Sequence, residues 1–275
     1  MMIDAGHGTP IVLVPGVQGR WEWMAPTVDA LADRGRVVSY SLCGESGERE
    51  IEPELGFESF ITQLDDVLDR AELDTAHLGG VSYGGLIALR YAARRPGRVR
   101  SLTLVSTPSP SWRPECRIER YLRAPRLMAP AFVAGSPFRL WPEIYAAFDG
   151  WGTRLGFTVH HLMRVAAAPF SSVRMAERVR LMSGIDFLAD CHRVTAPTLV
   201  VTGEPSLDQI VPVESTLEFV EAIAGAKAAT LARTGHIGFA SRPAAFANLL
   251  ASFAEAHADE RMRIENLLSD WKGTP

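Results

Sequence analysis

Residues 77–85 read HLGGVSYGG, in which Ser82 has glycine two positions to either side. The string satisfies Gly-x-Ser-x-Gly, but in a chain of 275 residues with 23 glycines it can also arise by chance, so its surroundings decide what it means. Before it stands HLGGV, a strand pattern. After it runs GGLIALRYAARRPG, a helix pattern. Ser82 therefore falls on a strand-to-helix turn, the context in which a serine is lifted out of the backbone as a nucleophile. Gly80 and Gly84 have a steric reason to be there, because strand and helix pass too closely at such a turn for side chains. Two phosphate-binding readings fail on the same residues. Leu86-Ile87 follow Gly85 where a P-loop needs Lys-Ser or Lys-Thr, and Gly-x-Gly-x-x-Gly is absent from the stretch.

Outward from this turn, short β-branched runs alternate with amphipathic helical patterns. The runs are 11–14, 37–42, 77–81, 99–106, 198–202 and 228–232, and they are almost continuously apolar, as strands covered on both faces must be. Phe57, Phe60, Ile61, Leu64, Val67, Leu68 and Ala71 recur at helical spacing, and 26–34 ends in Gly35, a helix stop. Such alternation predicts an α/β fold, a doubly wound, mainly parallel sheet of about six parallel strands. From about Pro108 to Cys191 the alternation lapses into helical pattern with Pro and Gly breaks and dense aromatics, which reads as an inserted helical cap. The expected division is 1–107 and 192–275 for the core and 108–191 for the cap. At the C-terminal end, Ile264, Leu267, Leu268 and Trp271 form an apolar helical stripe suited to packing on the body or on a second subunit.

Composition narrows the function classes. The chain is 47% hydrophobic and 22% charged, with a net charge of −4 and no long basic block, which argues against nucleic-acid binding. Three widely spaced cysteines, Cys43, Cys116 and Cys191, read as reduced thiols without metal-ligand spacing. MMIDAGHGTP has no signal-peptide pattern, and no apolar stretch reaches membrane-spanning length. The expectation is a cytoplasmic monomer or homodimer that acts on a small molecule, with no metal, organic cofactor or membrane partner.

A serine hydroxyl needs a base, and the base needs an orienting acid. The strand PTLVVTGE leads into PSLDQIVP, which supplies Asp208, and the strand AATLA leads into RTGHIGF, which supplies His236. Glu204 is the rival acid, and Asp208 could instead serve as a helix N-cap. The remaining histidines at 7, 77, 160, 161, 192 and 257 have ordinary surroundings.

Taken in order, GVSYGG, GEPSLDQIVP and TGHIGF resemble the nucleophile, acid and histidine segments of the α/β-hydrolase superfamily, in its serine-nucleophile branch with a helical lid. The resemblance covers the chain from Ile11 to about Ala256 and implies a Ser82–His236–Asp208 triad. It also implies an oxyanion hole made of two backbone N–H groups, at Tyr83 and, within VPGVQGRWEW, at Val17. Pro15 stands where relatives usually carry His. The usual N-terminal hairpin has too little chain before Ile11, so a truncated edge is expected. Ser41 replaces the usual acidic residue after the next strand.

Hydrolysis of an ester-type bond through an acyl-enzyme is the leading implication, with lactonase, carbon–carbon hydrolase, acyltransferase and lyase chemistry open on the same residues. A hydrolase-like ligand receptor with little turnover is the rival from another class. Gln18, Arg20, Trp21, Trp112 and Trp141 are candidates for the substrate pocket. Arg113, Arg117, Arg120 and Arg164 are candidates for receiving a substrate carboxylate.

Overall fold

The computed structural model describes residues 1–258, so the apolar stripe at 264–271 lies outside the described residues. In chain order the strands are β1 (Met2–Ala5), β2 (Pro10–Val14), β3 (Arg36–Tyr40), β4 (Ala76–Val81), β5 (Val99–Val105), β6 (Thr198–Thr202) and β7 (Lys227–Thr230). They form one sheet in the order β1-β3-β2-β4-β5-β6-β7. β2 to β7 are mutually parallel wherever they pair, and β1 is antiparallel to β3. The edge is truncated as expected, but one strand of the hairpin survives. Met2–Ala5 pairs directly with Tyr40–Val37 across the sheet, so it needs no tight turn to β2.

Helices α1 (Ala25–Ala32), α2 (Glu58–Arg70) and α3 (Tyr83–Arg94) alternate with the first parallel strands. Between β5 and β6 come α4 (Cys116–Arg123), α5 (Pro125–Ala147), α6 (Trp151–Ala167), α7 (Ser172–Met182) and α8 (Phe187–Cys191), with no strand among them. After β6 follow α9 (Val213–Ala222), the one-turn α10 (Gly238–Ser241) and α11 (Pro243–Ala256). Where the prolines of the insertion suggest breaks, α5 runs on through Pro130, Pro137 and Pro142. Proline removes a helix bond, and just upstream of Pro137 the Phe132 carbonyl accepts from the Ser136 hydroxyl and from Arg139 Nη2.

Side chains of a strand alternate between faces, and here each face has its own core. Val12, Val14, Val38 and Tyr40 join Leu64, Leu68, Leu86 and Tyr91 of α2 and α3 on one side. Ile11, Leu13 and Val37 join Val28, Leu31, Phe246 and Leu250 of α1 and α11 on the other. Strands buried on both sides read as unbroken apolar runs for this reason. The order reverses between β2 and β4. β2 is followed by a helix on one face and β4 by a helix on the other, which opens a crevice at their carboxyl ends, the place where open α/β sheets hold their ligands.

The first four inserted helices bury little. Among α4–α7 the buried side chains are Glu143, Ile144, Ala176, Arg178 and Met182. Two of the five are charged.

The cysteines are all free. Burial pushes the Cys43 and Cys191 thiols up to about 12, whereas Cys116 is exposed. A disulfide-exchange reagent at pH 8 is expected to titrate one thiol quickly in the native protein and all three in denaturant. Two or more fast native thiols would contradict this packing.

Candidate active site

The loops after β2, β4, β5, β6 and β7 all emerge at the same edge of the sheet, because these strands are parallel. Ser82 is the hinge between β4 and α3. It adopts φ 53° and ψ −120°, a conformation that L residues occupy rarely and at a cost of order 1–3 kcal/mol. Its N–H donates to the Val105 carbonyl at 2.7 Å and its carbonyl accepts from Gly85 N–H at 2.9 Å, so the turn is held from both ends. The surrounding approach is tight. A Cβ added to Gly80 would lie 2.6 Å from the Gly85 Cα, and one added to Gly84 would lie 2.5 Å from the Pro15 carbonyl oxygen. Gly84 thus sits directly against the loop that follows β2, and Gly16 of that loop passes beside the Ser82 side chain.

Asp208 and His236 meet across the loops that follow β6 and β7. His236 Nδ1 lies 3.3 Å from Asp208 Oδ2, and both residues are buried. The other carboxylate oxygen of Asp208 accepts the N–H groups of Ile210 and Val211 at 3.0 and 2.9 Å. Burial alone would raise this carboxyl, but His236 and those two N–H groups outweigh burial and hold it below the usual carboxylate range. Asp208 is not the N-cap of α9, which begins five residues later. Glu204, the rival acid, faces elsewhere: its Oε1 accepts from the Arg233 N–H at 2.7 Å. Among the described residues the structure makes the acid–imidazole contact but not a Ser82 Oγ–imidazole hydrogen bond. Catalytic hydrogen bonds of this kind often form fully only in the substrate complex.

The other sequence candidates scatter. Tyr83 is buried and its hydroxyl donates to the Arg178 carbonyl at 3.0 Å. Val17 packs its side chain against the α2–α3 core. Gln18 folds back over Gly16. Arg20 is engaged by Glu22 through two hydrogen bonds, at 2.6 and 3.2 Å, and so is not a free cation. Trp21 packs against the α1–α11 core and Trp112 against the opposite one. Trp141 is exposed and pairs with Trp151, 5.9 Å between ring centroids. Arg113, Arg117 and Arg120 are exposed and Arg164 is half-buried.

Four residues tie the insertion to these loops: Trp23, which the sequence suggests as a wall or floor of the site, and Glu143, Arg178 and Arg233, which sequence reasoning passed over. Trp23 Nε1 donates to the Ala168 carbonyl at 2.9 Å. Buried Glu143 accepts from the Ile237 N–H at 2.9 Å and the Ser241 hydroxyl at 3.0 Å, immediately after His236. Burial raises the Glu143 carboxyl, and these donors only partly offset it. Arg233 donates to the Ala146 carbonyl and pairs with Asp149. A lone acid inside the apolar run FRLWPEIYAA was the available signal for Glu143. Arg178 carried none. Among the described residues no group of three or more His, Cys, Asp or Glu side chains could hold a metal ion, and no helix is long and apolar enough to cross a membrane.

The model of the alpha/beta hydrolase family matches residues 11–249. The chain belongs to that family. A 2-hydroxymuconate semialdehyde hydrolase from a Pseudomonas species is 29% identical to it over 268 residues, 93% of this chain and 90% of the relative. A candidate carbamate hydrolase, RutD of Azorhizobium caulinodans, is 27% identical over 90% of this chain and 92% of its own. Among solved structures, the enol-lactonase of Burkholderia xenovorans superposes with a TM-score of 0.73 at 22% identity, covering 92% of this chain and 95% of its own. That last likeness speaks to the fold alone.

Two expectations follow for this hydrolase-family site. Gly84→Ala should destabilise the chain by about 3 kcal/mol in urea unfolding, since backbone on both sides blocks the methyl. A loss under 0.5 kcal/mol would contradict the close approach. Asp208, ionised more readily folded than unfolded, should contribute stability above pH 4 that is lost as pH falls through its depressed folded value. The stability gap between wild type and Asp208→Asn should therefore narrow in acid, and a gap that widens there would contradict the assignment.

Proposed function

We propose that the chain is a serine hydrolase that cleaves an ester-type bond of a small, largely apolar substrate through an acyl-enzyme. The observation that carries this reading is the His236–Asp208 contact at the same sheet edge where Ser82 is held at positive φ. In the proposed cycle Asp208 Oδ2 accepts from His236 Nδ1–H, which leaves Nε2 to take the Ser82 proton. Ser82 Oγ attacks the carbonyl carbon, and the oxyanion is held by the Val17 and Tyr83 N–H groups, each donor worth roughly 3–4 kcal/mol in the transition state. His236 returns the proton to the leaving group, the acyl group stays on Ser82, and water repeats the sequence to free the acid. Cap and core together would enclose the substrate, with Trp21 and Trp112 as candidate walls and Gln18, folded over Gly16, as a candidate contact.

Relatives named for a carbamate and a semialdehyde substrate, together with the lactone chemistry left open by the sequence, give the other substrates to test on the same residues. The chain is proposed to act in the cytoplasm, on small molecules rather than on nucleic acid or membrane.

A panel of p-nitrophenyl esters from acetate to octanoate, with a lactone and an aryl carbamate, tests the proposal on wild type and Ser82→Ala. Turnover is expected in wild type, and Ser82→Ala should reduce kcat by on the order of 10⁴–10⁶-fold. A variant that keeps a tenth of the activity would overturn the nucleophile assignment. Preference for the lactone or carbamate over every ester would move the proposal to that bond.

A further inference from the structure

We propose that Arg178, on cap helix α7, is a positioning residue that sets the geometry of the Val17 oxyanion donor. The inference rests on the serine-hydrolase reading above. Arg178 is fully buried, although α7 belongs to the sparsely buried part of the insertion. Its Nη1 donates to the Val17 carbonyl at 3.0 Å, and its Nη2 donates to the Cys43 carbonyl at 3.2 Å and to Glu45 Oε1 at 2.8 Å. Its own main-chain carbonyl accepts the Tyr83 hydroxyl at 3.0 Å. One residue of the cap therefore touches Val17 through its side chain and Tyr83 through its backbone. These are the two residues whose N–H groups would face the oxyanion.

The turn geometry shows how the first contact acts. Gly19 N–H donates to the Gly16 carbonyl at 2.9 Å, which closes a turn over residues 16–19. In a trans peptide the Gly16 carbonyl and the Val17 N–H point in opposite directions. Holding that carbonyl inside the turn thus aims the Val17 N–H outward, in a loop that passes beside Ser82. The guanidinium pins the next peptide through the Val17 carbonyl and covers Gly19. Gly19 has φ +78°, and a Cβ there would lie 2.5 Å from Arg178 Cζ. Leu42 N–H donates to the Gly19 carbonyl at 2.8 Å, which holds the far end of the turn as well.

Glu45 offsets the buried charge of Arg178. It is buried, it pairs with Arg178, and its Oε2 also meets Arg174 Nη1 at 3.4 Å. A guanidinium already shared between a carboxylate and two carbonyls is not a receptor for a substrate anion. Its planar, multidentate donor set serves instead to tie the cap to the loop after β2. Seating of the cap and assembly of the oxyanion hole become one event.

Reaction with a fluorophosphonate probe tests this without knowledge of the natural substrate. Ser82 Oγ bonds to phosphorus, the P–F bond breaks, the serine proton passes to His236, and fluoride leaves. The negative P–O oxygen of the transition state needs the same two donors. The second-order labelling rate and the final labelled fraction are measured for wild type, Arg178→Met, Arg178→Lys and Glu45→Gln. Full loss of one donor costs 10²–10³-fold, so Arg178→Met is expected to label about 30-fold more slowly but to the same final fraction. Arg178→Lys, which can reach Val17 or Glu45 but not both, should fall between it and wild type.

A purely structural residue would lower the labelled fraction and leave the rate of the folded molecules within threefold of wild type, which overturns the proposal. If Arg178→Met does not fold, the lysine and glutamine variants decide. Rates for both within threefold of wild type contradict the inference, and a slowed rate at full labelled fraction supports it. Wild type that never labels would overturn the serine-hydrolase reading itself, a separate and recognisable failure.

Discussion

The close passage of α3 over the end of β2 is the constraint on which the rest depends. With no side chain at Gly80 or Gly84, strand β4 can turn straight into α3 against the Pro15 carbonyl. That turn is sharp enough to force Ser82 to φ 53°. Strain of this kind persists only where the surroundings over-determine it. Here the surroundings are Val105, Gly85 and the buried faces of β4 and α3. The sheet order then does the placing. Because the order reverses between β2 and β4, the loop that carries Val17 and the turn that carries Ser82 lie next to each other at the mouth of one crevice.

The acid and histidine loops are brought together by a similar device at the other side of the sheet. A Cβ on Gly203 would lie 2.7 Å from Gly235 Cα, and one on Gly235 would lie 2.6 Å from the Leu207 carbonyl carbon. The backbones that bear Asp208 and His236 are therefore in contact before their side chains meet. The cap adds a second layer of restraint. Glu143 holds the segment after His236, and Arg178 holds the loop after β2, so two of the few buried side chains of α4–α7 bear on the two ends of the site. Polar anchors suit this purpose. A buried charge is costly unless its partners are in place, so each anchor strongly favours a single seating of the cap.

What was legible in the sequence is what is local in the chain. The elbow is nine consecutive residues, and the strands announce themselves because they are apolar on both faces. The acid and the histidine each follow directly on a strand, in chain order. The misses share a physical cause. Strand β1 is four residues with mixed burial, and it pairs with a segment more than 30 residues away. Arg178 reaches Val17 across 161 positions, and Glu143 reaches Ile237 across 94. Neither contact leaves a periodicity or spacing to read. Aromatic density was legible but its use was not. Trp141 and Trp151 pair at a tilt where both are exposed, whereas Phe157 stacks on His161 and meets Phe148 at a tilt.

The central claim is covalent, and mass spectrometry of an acid-quenched reaction addresses it most directly. Wild type mixed with a turned-over p-nitrophenyl ester and quenched within milliseconds should carry the mass of one acyl group, and proteolytic mapping should place that group on the Ser82 peptide. The acyl mass on any other residue, or a rapidly turning-over enzyme that never carries it, would contradict the account.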